Sequence, residues 1–240
     1  MSSDKVDLKL DWCSHEAAKF ACEHWHYSRC MPVGKIVKIG VWEDNQYIGA
    51  VLFSHGANNN IGKPYKLTQY ECIELVRVAL NKHKSSVSRI IAISLKMLKK
   101  QSAGIKLVVS YADNDQGHIG SIYQAGSWVY TGESKMDALI VNGKKTHRKT
   151  IYSQYGYNSI ERLKATGLDV EWADGKPKYK YLMPLDESIR KQIEPLRKPY
   201  PKKPCAGSET VTRSPLQEKE GGSIPTPALS EGASNAIQER

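Results

Sequence analysis

The sequence predicts an α/β domain in which a mixed central sheet is flanked by helices, with a basic C-terminal extension and a disordered tail. Three observations predict it. The run IKLVV at 105–109 is apolar and β-branched, as a buried strand requires, and it ends in the polar cluster YADND at 111–115. Upstream, YECIELVRVAL at 70–80 reads as a long strand leading through a polar turn into an apolar helix. Nearer the N-terminus, the runs at 35–42 and 47–54 flank Glu43-Asp44-Asn45-Gln46 as a hairpin.

The elements follow in order. Residues 14–27 read as a helix, with Ser14 as N-cap and Ala17, Phe20, Ala21, His24 and Trp25 near helical spacing. Pro32 and Gly34 end that region. Residues 35–42 and 47–54 form a hairpin about Glu43-Asp44-Asn45-Gln46, and a Gly- and Asn-rich loop spans 55–66. In the strand at 70–80, alternation puts Leu75, Arg77 and Ala79 on one face and Glu74, Val76, Val78 and Leu80 on the other. The turn at 81–88 opens an apolar helix over 89–100. After the second strand, Ile119, Ile122 and Tyr123 stand at helical spacing, Gly126 punctuates, and Trp128, Val129 and Tyr130 begin another strand. Residues 133–150 hold a second hairpin with Asn142-Gly143 as its type I′ turn. Residues 159–166 are a short helix stopped by Gly167, and 178–184 a late strand. The expected organisation is a core over 1–135, a basic extension packed on it over 136–199, and a tail over 200–240.

At 240 residues the chain can fill one domain with a large core. No apolar run approaches the ~20 residues that span a bilayer, and the N-terminus lacks the layout of a signal peptide. A cytosolic protein without a membrane partner is expected. Cys13, Cys22, Cys30, Cys72 and Cys205 are odd in number and scattered, which argues against a disulfide framework. Net charge is +10. From Pro201 onward five basic residues meet five acidic ones, so the whole excess lies in the first 200 positions. Such a balance favours a polyanionic partner through counterion release. The tail is rich in Pro, Gly, Ser, Glu and Thr and cannot bury enough surface to offset chain entropy.

Reactive side chains gather after the strand at 105–109. A strand ending in carboxylates, with a tyrosine on the next helix, is how an open sheet presents groups at its carboxyl edge. Asp113 is the candidate proton acceptor, with Asp115 as substitute; the alternative for Asp113 is a helix N-cap. Tyr123 is either a hydroxyl donor or a core aromatic. Arg77, a charge inside an apolar strand, pairs with a carboxylate such as Glu71 or Asp113 or else reaches an anionic ligand. The turn before the helix at 89–100 offers an anion site, with Lys82, Lys84 and Arg89 adding charge. The alternative is an ordinary serine cap by Ser85 or Ser86.

His24 and His26 flank Trp25. On a helix they point apart; in extended chain they share a side, where one of them with a carboxylate suits ferrous iron. A hydrogen-bonded structural histidine is the alternative. Lys144, Lys145, Arg148 and Lys149 have the composition of a phosphate contact surface, or of a solvated hairpin face.

The order of charged strand, phosphate-type loop, helix, second strand, tyrosine-bearing helix and Gly-aromatic step resembles the GNAT acyltransferase core. IYQAGSW at 122–128 matches that family's tyrosine-to-glycine stretch, which implies that Tyr123 is the acid for a leaving thiolate. The donor loop falls on HKSSVS at 83–88, so Lys84, Ser85, Ser86, Val87 and Ser88 are the implied cofactor-binding residues. Serines stand there where the family has glycines, and a side chain crowds the backbone approach to a pyrophosphate.

HWHYSRCMP at 24–32, ECIELVRVAL, SSVSRIIAISLKMLKK and SYADNDQGHIGSIYQAGSWVYTG together resemble the Mom family of bacteriophage DNA-modification proteins, over about residues 17–185. The resemblance implies conversion of the adenine N6 amine of phage DNA to a methylcarbamoyl (acetamido) adduct that blocks host restriction enzymes. It implies double-stranded DNA as partner, an acyl-CoA-like or other activated donor, and action in the host cytoplasm. It places functional residues on Arg77, Asp113 and Tyr123, and an iron(II) role on His24 or His26. Chemistry on N6 usually needs an extruded base. Asn114 would bind its edge, and Trp25, Tyr27, Tyr65, Tyr70 and Tyr111 supply aromatic surface. Two competing readings are a GNAT-type N-acetyltransferase acting on a protein or small-molecule amine, and a non-catalytic basic nucleic-acid-binding protein. The serine-bearing loop argues against the first; the Arg77, Asp113 and Tyr123 set argues against the second.

Overall fold

The chain opens with strand β1 (Leu8–Trp12) and helix α1 (His15–Trp25). Ser14 caps α1, its Oγ accepting the Ala17 amide at 3.1 Å. The hairpin follows as β2 (Ile36–Glu43) and β3 (Gln46–Ser54). Asp44 and Asn45 both take left-handed backbone, φ 50° and 64°, which lets a two-residue turn match the strand twist. Next come β4 (Cys72–Leu80), α2 (Val87–Gln101) and β5 (Leu107–Ala112). A single helical turn, α3 (Ser121–Gln124), leads to β6 (Val129–Glu133). A small unit then holds β7 (Ala138–Val141), β8 (Lys144–His147), α4 (Arg148–Tyr155), α5 (Ile160–Ala165) and β9 (Val170–Trp172). β10 (Tyr179–Pro184) and α6 (Glu187–Ile193) follow, and a 3-10 turn (Glu194–Leu196) comes after them. The computed structural model describes residues 6–32, 34–55, 60–134, 138–174 and 177–202; the side chains of His147 and Lys149 lie outside that description.

The main sheet runs β1-β2-β3-β4-β5-β10-β6, and all pairs are antiparallel except β4 with β5. This is the expected mixed sheet flanked by helices. β10 comes from the stretch expected as an extension, yet it pairs between β5 and β6, so the core sheet draws on residues beyond 135. The second sheet, β8-β7-β9, has its own apolar centre of Leu139, Ile151, Leu163 and Val170. Asn142 and Gly143 form its turn as expected, with φ 48° and 75°.

One face of the main sheet packs α2 and α3 through Val51, Phe53, Leu75, Val108, Ile90, Leu98, Tyr123 and Trp128. Each such buried side chain contributes roughly 1.5–3 kcal/mol. The opposite face carries two clusters. α1 covers Trp42, Ala50, Leu52 and Ala79, and α6 covers Leu107, Val109, Val129 and Leu182.

Alternation in β4 breaks at mid-strand. Leu52 pairs with Arg77 but Phe53 pairs with Leu75, so Val76 is an extra residue, a β-bulge. Leu75, Val78 and Leu80 consequently share the α2 face, while Val76 and Ala79 join the α1 cluster. The expected faces, Leu75 with Arg77 and Glu74 with Val78, are corrected for that reason. Glu74 pairs with Val109 and Arg77 with Leu52, so both lie on the α1/α6 face, between its two clusters.

The expected tail boundary at 200 is occupied. Tyr200 donates to the Trp128 carbonyl at 2.7 Å, and the Gln124 amide donates to the Pro201 carbonyl at 3.3 Å. Residues 203–240, expected to be disordered, lie outside the described residues. No helix among the described residues is long and apolar enough to cross a membrane.

Candidate active site

The pairing of β4 with β5 covers only Cys72, Ile73 and Glu74 against Leu107, Val108 and Val109. Beyond that point the two parallel strands separate and leave a fork. Backbone groups exposed by such an opening need other partners. The Leu75 carbonyl finds one in the Ser110 hydroxyl, 2.9 Å away, and the Tyr123 hydroxyl lies 2.8 Å from the same Ser110 oxygen. A carbonyl can only accept, so the serine proton goes to Leu75 and the Tyr123 proton goes to Ser110. Gly120, at φ 79°, brings α3 against the Tyr181 ring and so sets Tyr123 in place. Burial pushes the Tyr123 phenol up to about 12, so it stays protonated. Tyr123 is thus both a core aromatic and a hydroxyl at the base of the fork.

Asp113 follows directly on β5. Its Oδ1 accepts the Asp115 amide at 3.2 Å, which is the cap role that the sequence left open. Its Oδ2 accepts the Tyr27 hydroxyl at 3.2 Å and pairs with Lys178 Nζ at 3.2 Å. Asp115, the substitute, pairs instead with Lys145 at 3.3 Å.

Arg77 has neither of its expected carboxylates. Glu71 pairs with Lys106 at 2.7 Å and Asp113 with Lys178. The Arg77 guanidinium donates to the Val76 carbonyl at 2.8 Å and reaches Cys30 Sγ at 4.0 Å, and its buried Nε has no partner among the described residues. Its charge acts on His26, Tyr27 and Glu74. A cation held there without a counter-carboxylate is suited to an anionic or carbonyl ligand.

The two histidines separate. His24 stacks on Phe20 at 4.1 Å, with Nδ1 at the Phe20 carbonyl, on the exposed side of α1. His26 lies just past the helix. The Ser28 amide donates to its Nδ1 at 3.1 Å, which leaves the proton of the neutral ring on Nε2. Burial, with Arg77 and His118 beside it, lowers its pKa to about 4. Its ring lies 4.3 Å from that of Tyr27, which also meets His118 at 5.6 Å. Among the described residues no three His, Cys, Asp or Glu side chains are placed to hold a metal ion. The expected ferrous site on His24 or His26 does not fit the residues present.

The donor loop is also corrected. The amides of Lys84 and Ser85 donate to the Glu43 carboxylate at 2.8 and 2.7 Å, and Lys84 Nζ pairs with Asp44 at 3.0 Å. Glu43 is 4% exposed. Burial opposes its charge, but the hydrogen bonds from Lys84 and Ser85 hold its pKa below the ordinary value. A protein carboxylate therefore occupies the amides at Lys84 and Ser85 that would have cradled a phosphate. Ser86 is the N-cap of α2, without a side-chain cap bond, and Val87 and Ser88 form its first turn.

The basic segment is only partly a surface. Lys144 is exposed. Lys145 is tied to Asp115 and to the Asp174 carbonyl, and Arg148 lies over the Trp172 ring at 5.6 Å and bonds Asn158 at 3.3 Å. The side chain of Lys149 lies outside the described residues.

Sequence reasoning gave no catalytic role to Glu74, Lys178 or His118, and left Tyr27 as aromatic surface alone. Tyr27 and His118 stand inside motifs already singled out. Glu74 is brought in by the β4 bulge and by the end of β4–β5 pairing, neither of which a single strand's pattern encodes. Its neighbours across the sheet face are Tyr111, and Lys180 under the Tyr65 ring at 5.0 Å.

A model of the Mom protein family matches residues 7–202. The methylcarbamoylase mom of Escherichia phage Mu is 24% identical over 209 residues, 82% of this chain and 84% of that one. Among solved structures, a Bacillus subtilis acetyltransferase in complex with CoA aligns over 75% of this chain and 99% of its own, at 11% identity and a TM-score of 0.38. A provisionally assigned acetyltransferase from Acinetobacter baylyi ADP1 aligns over 76% of this chain and 94% of its own, at 9% identity and a TM-score of 0.41. Likeness at that distance says nothing of the ligands of this chain.

Proposed function

The chain belongs to the Mom protein family, and from this premise we propose that it is a transferase acting on phage DNA, converting the adenine N6 amine to a methylcarbamoyl (acetamido) adduct. The adduct protects the viral DNA from host restriction endonucleases in the host cytoplasm. One observation carries the reading. The Arg77 guanidinium, with no salt bridge among the described residues, stands in the β4–β5 fork beside Glu74 and the Tyr27–Asp113 pair. An N6 amine is a poor nucleophile, so it needs a proton acceptor, a positioned electrophile and a stacked base. Carboxylates, a cation with no carboxylate partner among the described residues and aromatic rings supply these needs.

In this reading Arg77 holds an anionic or carbonyl oxygen of the activated donor. Tyr123 keeps its proton for the leaving group. Asp113 fixes Tyr27 and Lys178 around the base, and Tyr27 and Tyr111 flank an adenine extruded from double-stranded DNA. The donor is acyl-CoA-like or another activated carrier that does not use the Lys84 and Ser85 amides. Because Glu43 holds those amides, an ordinary coenzyme A-dependent acetyltransferase is the weaker reading.

The test is direct. Plasmid DNA from cells expressing the chain is digested to nucleosides and weighed by mass spectrometry against DNA from cells without it. A heavier adenine nucleoside, with resistance of the plasmid to restriction cleavage, is expected. Unmodified adenine throughout overturns the proposal.

A further inference from the structure

We infer that Glu74 is the group that takes the proton from the exocyclic amine, and that Asp113 is a positioning residue that holds the Tyr27 loop. This rests on the function proposed above and names the base within that same site.

The two carboxylates differ in what already binds them. Asp113 carries three donors: the Asp115 amide, the Tyr27 hydroxyl and Lys178 Nζ. Each favours the charged form and must be weakened before that carboxylate can hold a proton. No hydrogen bond among the described residues reaches the Glu74 carboxyl, which is acted on by burial and by the charges of Lys178 and Arg77. It stands at the last paired residue of β4, where the strands part, on the face between the α1 and α6 clusters. The groups that act on it come from several elements: Arg77 and Cys72 from β4, Tyr111 from β5, Tyr123 from α3, and Lys178 from the segment before β10. Desolvation pushes its pKa up to about 7, and Lys178 and Arg77 act against that rise. A carboxylate poised there is ionised often enough to accept a proton and basic enough to keep it.

The step balances. The N6 lone pair forms a bond to the electrophilic carbon of an activated donor, R–X. The bond from that carbon to X breaks and X leaves with the electron pair. The N6 proton passes to the Glu74 carboxylate, X takes a proton from Tyr123, and water returns both residues to their starting state.

Permeabilised cells expressing the full chain, buffered from about pH 5.5 to about pH 8.5, give the test through the adenine adduct in their plasmid DNA. With the wild type, adduct yield should rise through about pH 7 and level off. Glu74→Gln should lower the yield ~100-fold or more and abolish the rising limb. Asp113→Asn should lower the yield but keep the limb. Glu74→Asp should restore part of the yield with the limb moved to lower pH. An unchanged yield, or an unchanged limb, in Glu74→Gln overturns Glu74 as the base while leaving the modification standing. No adduct from the wild type overturns the function itself. Should Glu74→Gln fail to fold, Glu74→Asp decides: a displaced limb supports the assignment and an unmoved one overturns it.

Discussion

The Tyr27 hydroxyl donates to Asp113 Oδ2 at 3.2 Å, across 86 positions of sequence. That bond ties the turn after α1 to the end of β5. The rings of His26 and His118 lie at 4.3 and 5.6 Å from Tyr27, and the His118 amide donates to the Asp113 carbonyl at 3.1 Å. The N-terminal motif and the loop after β5 are thus joined at the end of the fork.

Replacing Tyr27 separates its two contributions. Tyr27→Phe keeps the ring and loses one hydrogen bond to a carboxylate, a loss of ~1.5–3 kcal/mol of local ordering at most. A drop in adduct yield of roughly tenfold is expected, with thermal melting nearly unchanged. Tyr27→Ala also removes the stacking surface, which is worth ~1–3 kcal/mol per base and should cost a further ~10-fold or more. Nucleoside mass analysis measures both. Equal yields from the two variants would mean that the ring does not meet the base.

Glu43 is expected to be structural. Glu43→Gln offers one carbonyl oxygen where two amides now bind, so one of Lys84 and Ser85 loses its partner. Leaving a buried donor unmade costs ~1–3 kcal/mol, which for a chain of this size lowers melting by several degrees. The sign with pH also follows. The pKa of Glu43 is below its ordinary 4.5 in the folded chain, so its contribution is complete above about 4.5 and is lost as pH falls through the lower folded value. Acid melts of the wild type should show this loss and those of Glu43→Gln should not. Wild-type melting in the variant would show that the loop holds itself.

What the sequence made legible was local. The β2–β3 hairpin, α2, β5 and the Asn142-Gly143 turn each have a periodicity or a turn dipeptide that acts within a dozen residues. β1 and β9 were not read, because five and three residues carry too little alternation, and α4 lies in a polar stretch with a weak apolar stripe. At the site, Arg77 was visible as a charge inside an apolar strand, Asp113 as a carboxylate in the polar cluster that ends one, and Tyr123 as the tyrosine of the following helix. Glu74 and Glu43 were not. Glu43 acts on amides 41 and 42 positions away, and Glu74 depends on where the partner strand stops pairing. Such facts belong to pairing between strands and not to either strand alone.

His26 gives a pH signature of its own. Its ordinary pKa of 6.5 falls to about 4 in the folded chain, so between these values the unfolded chain binds more protons. Stability therefore rises with pH across that window, is complete above about 6.5 and falls no further below about 4. The slope is at most ~1.4 kcal/mol per pH unit, and less because the ring is partly exposed. His26→Asn keeps an acceptor for the Ser28 amide and should flatten that slope in urea melts. An unaltered slope would place the titration elsewhere.

The last prediction concerns the segment from Lys144 to Lys149. Its cations are not equivalent. Lys144 is exposed on β8, whereas Lys145 pairs with Asp115, and Arg148 lies over Trp172 and bonds Asn158. If the segment meets phosphates, Lys144→Ala should weaken binding to duplex DNA uniformly across sequences and reduce the log–log salt slope by roughly 0.9, with melting unchanged. Arg148→Ala should behave differently. It removes a cation–π contact worth ~0.5–2 kcal/mol within the small sheet, so it should lower melting of that unit whatever it does to DNA. Replacing all four cations together would mix the two effects. Fluorescence anisotropy with a labelled duplex at several salt concentrations, run beside thermal melts, separates them. An unchanged slope in Lys144→Ala would move the DNA surface away from β8, with Lys178, paired with Asp113, and Lys180, against the Tyr65 ring, as the next candidates.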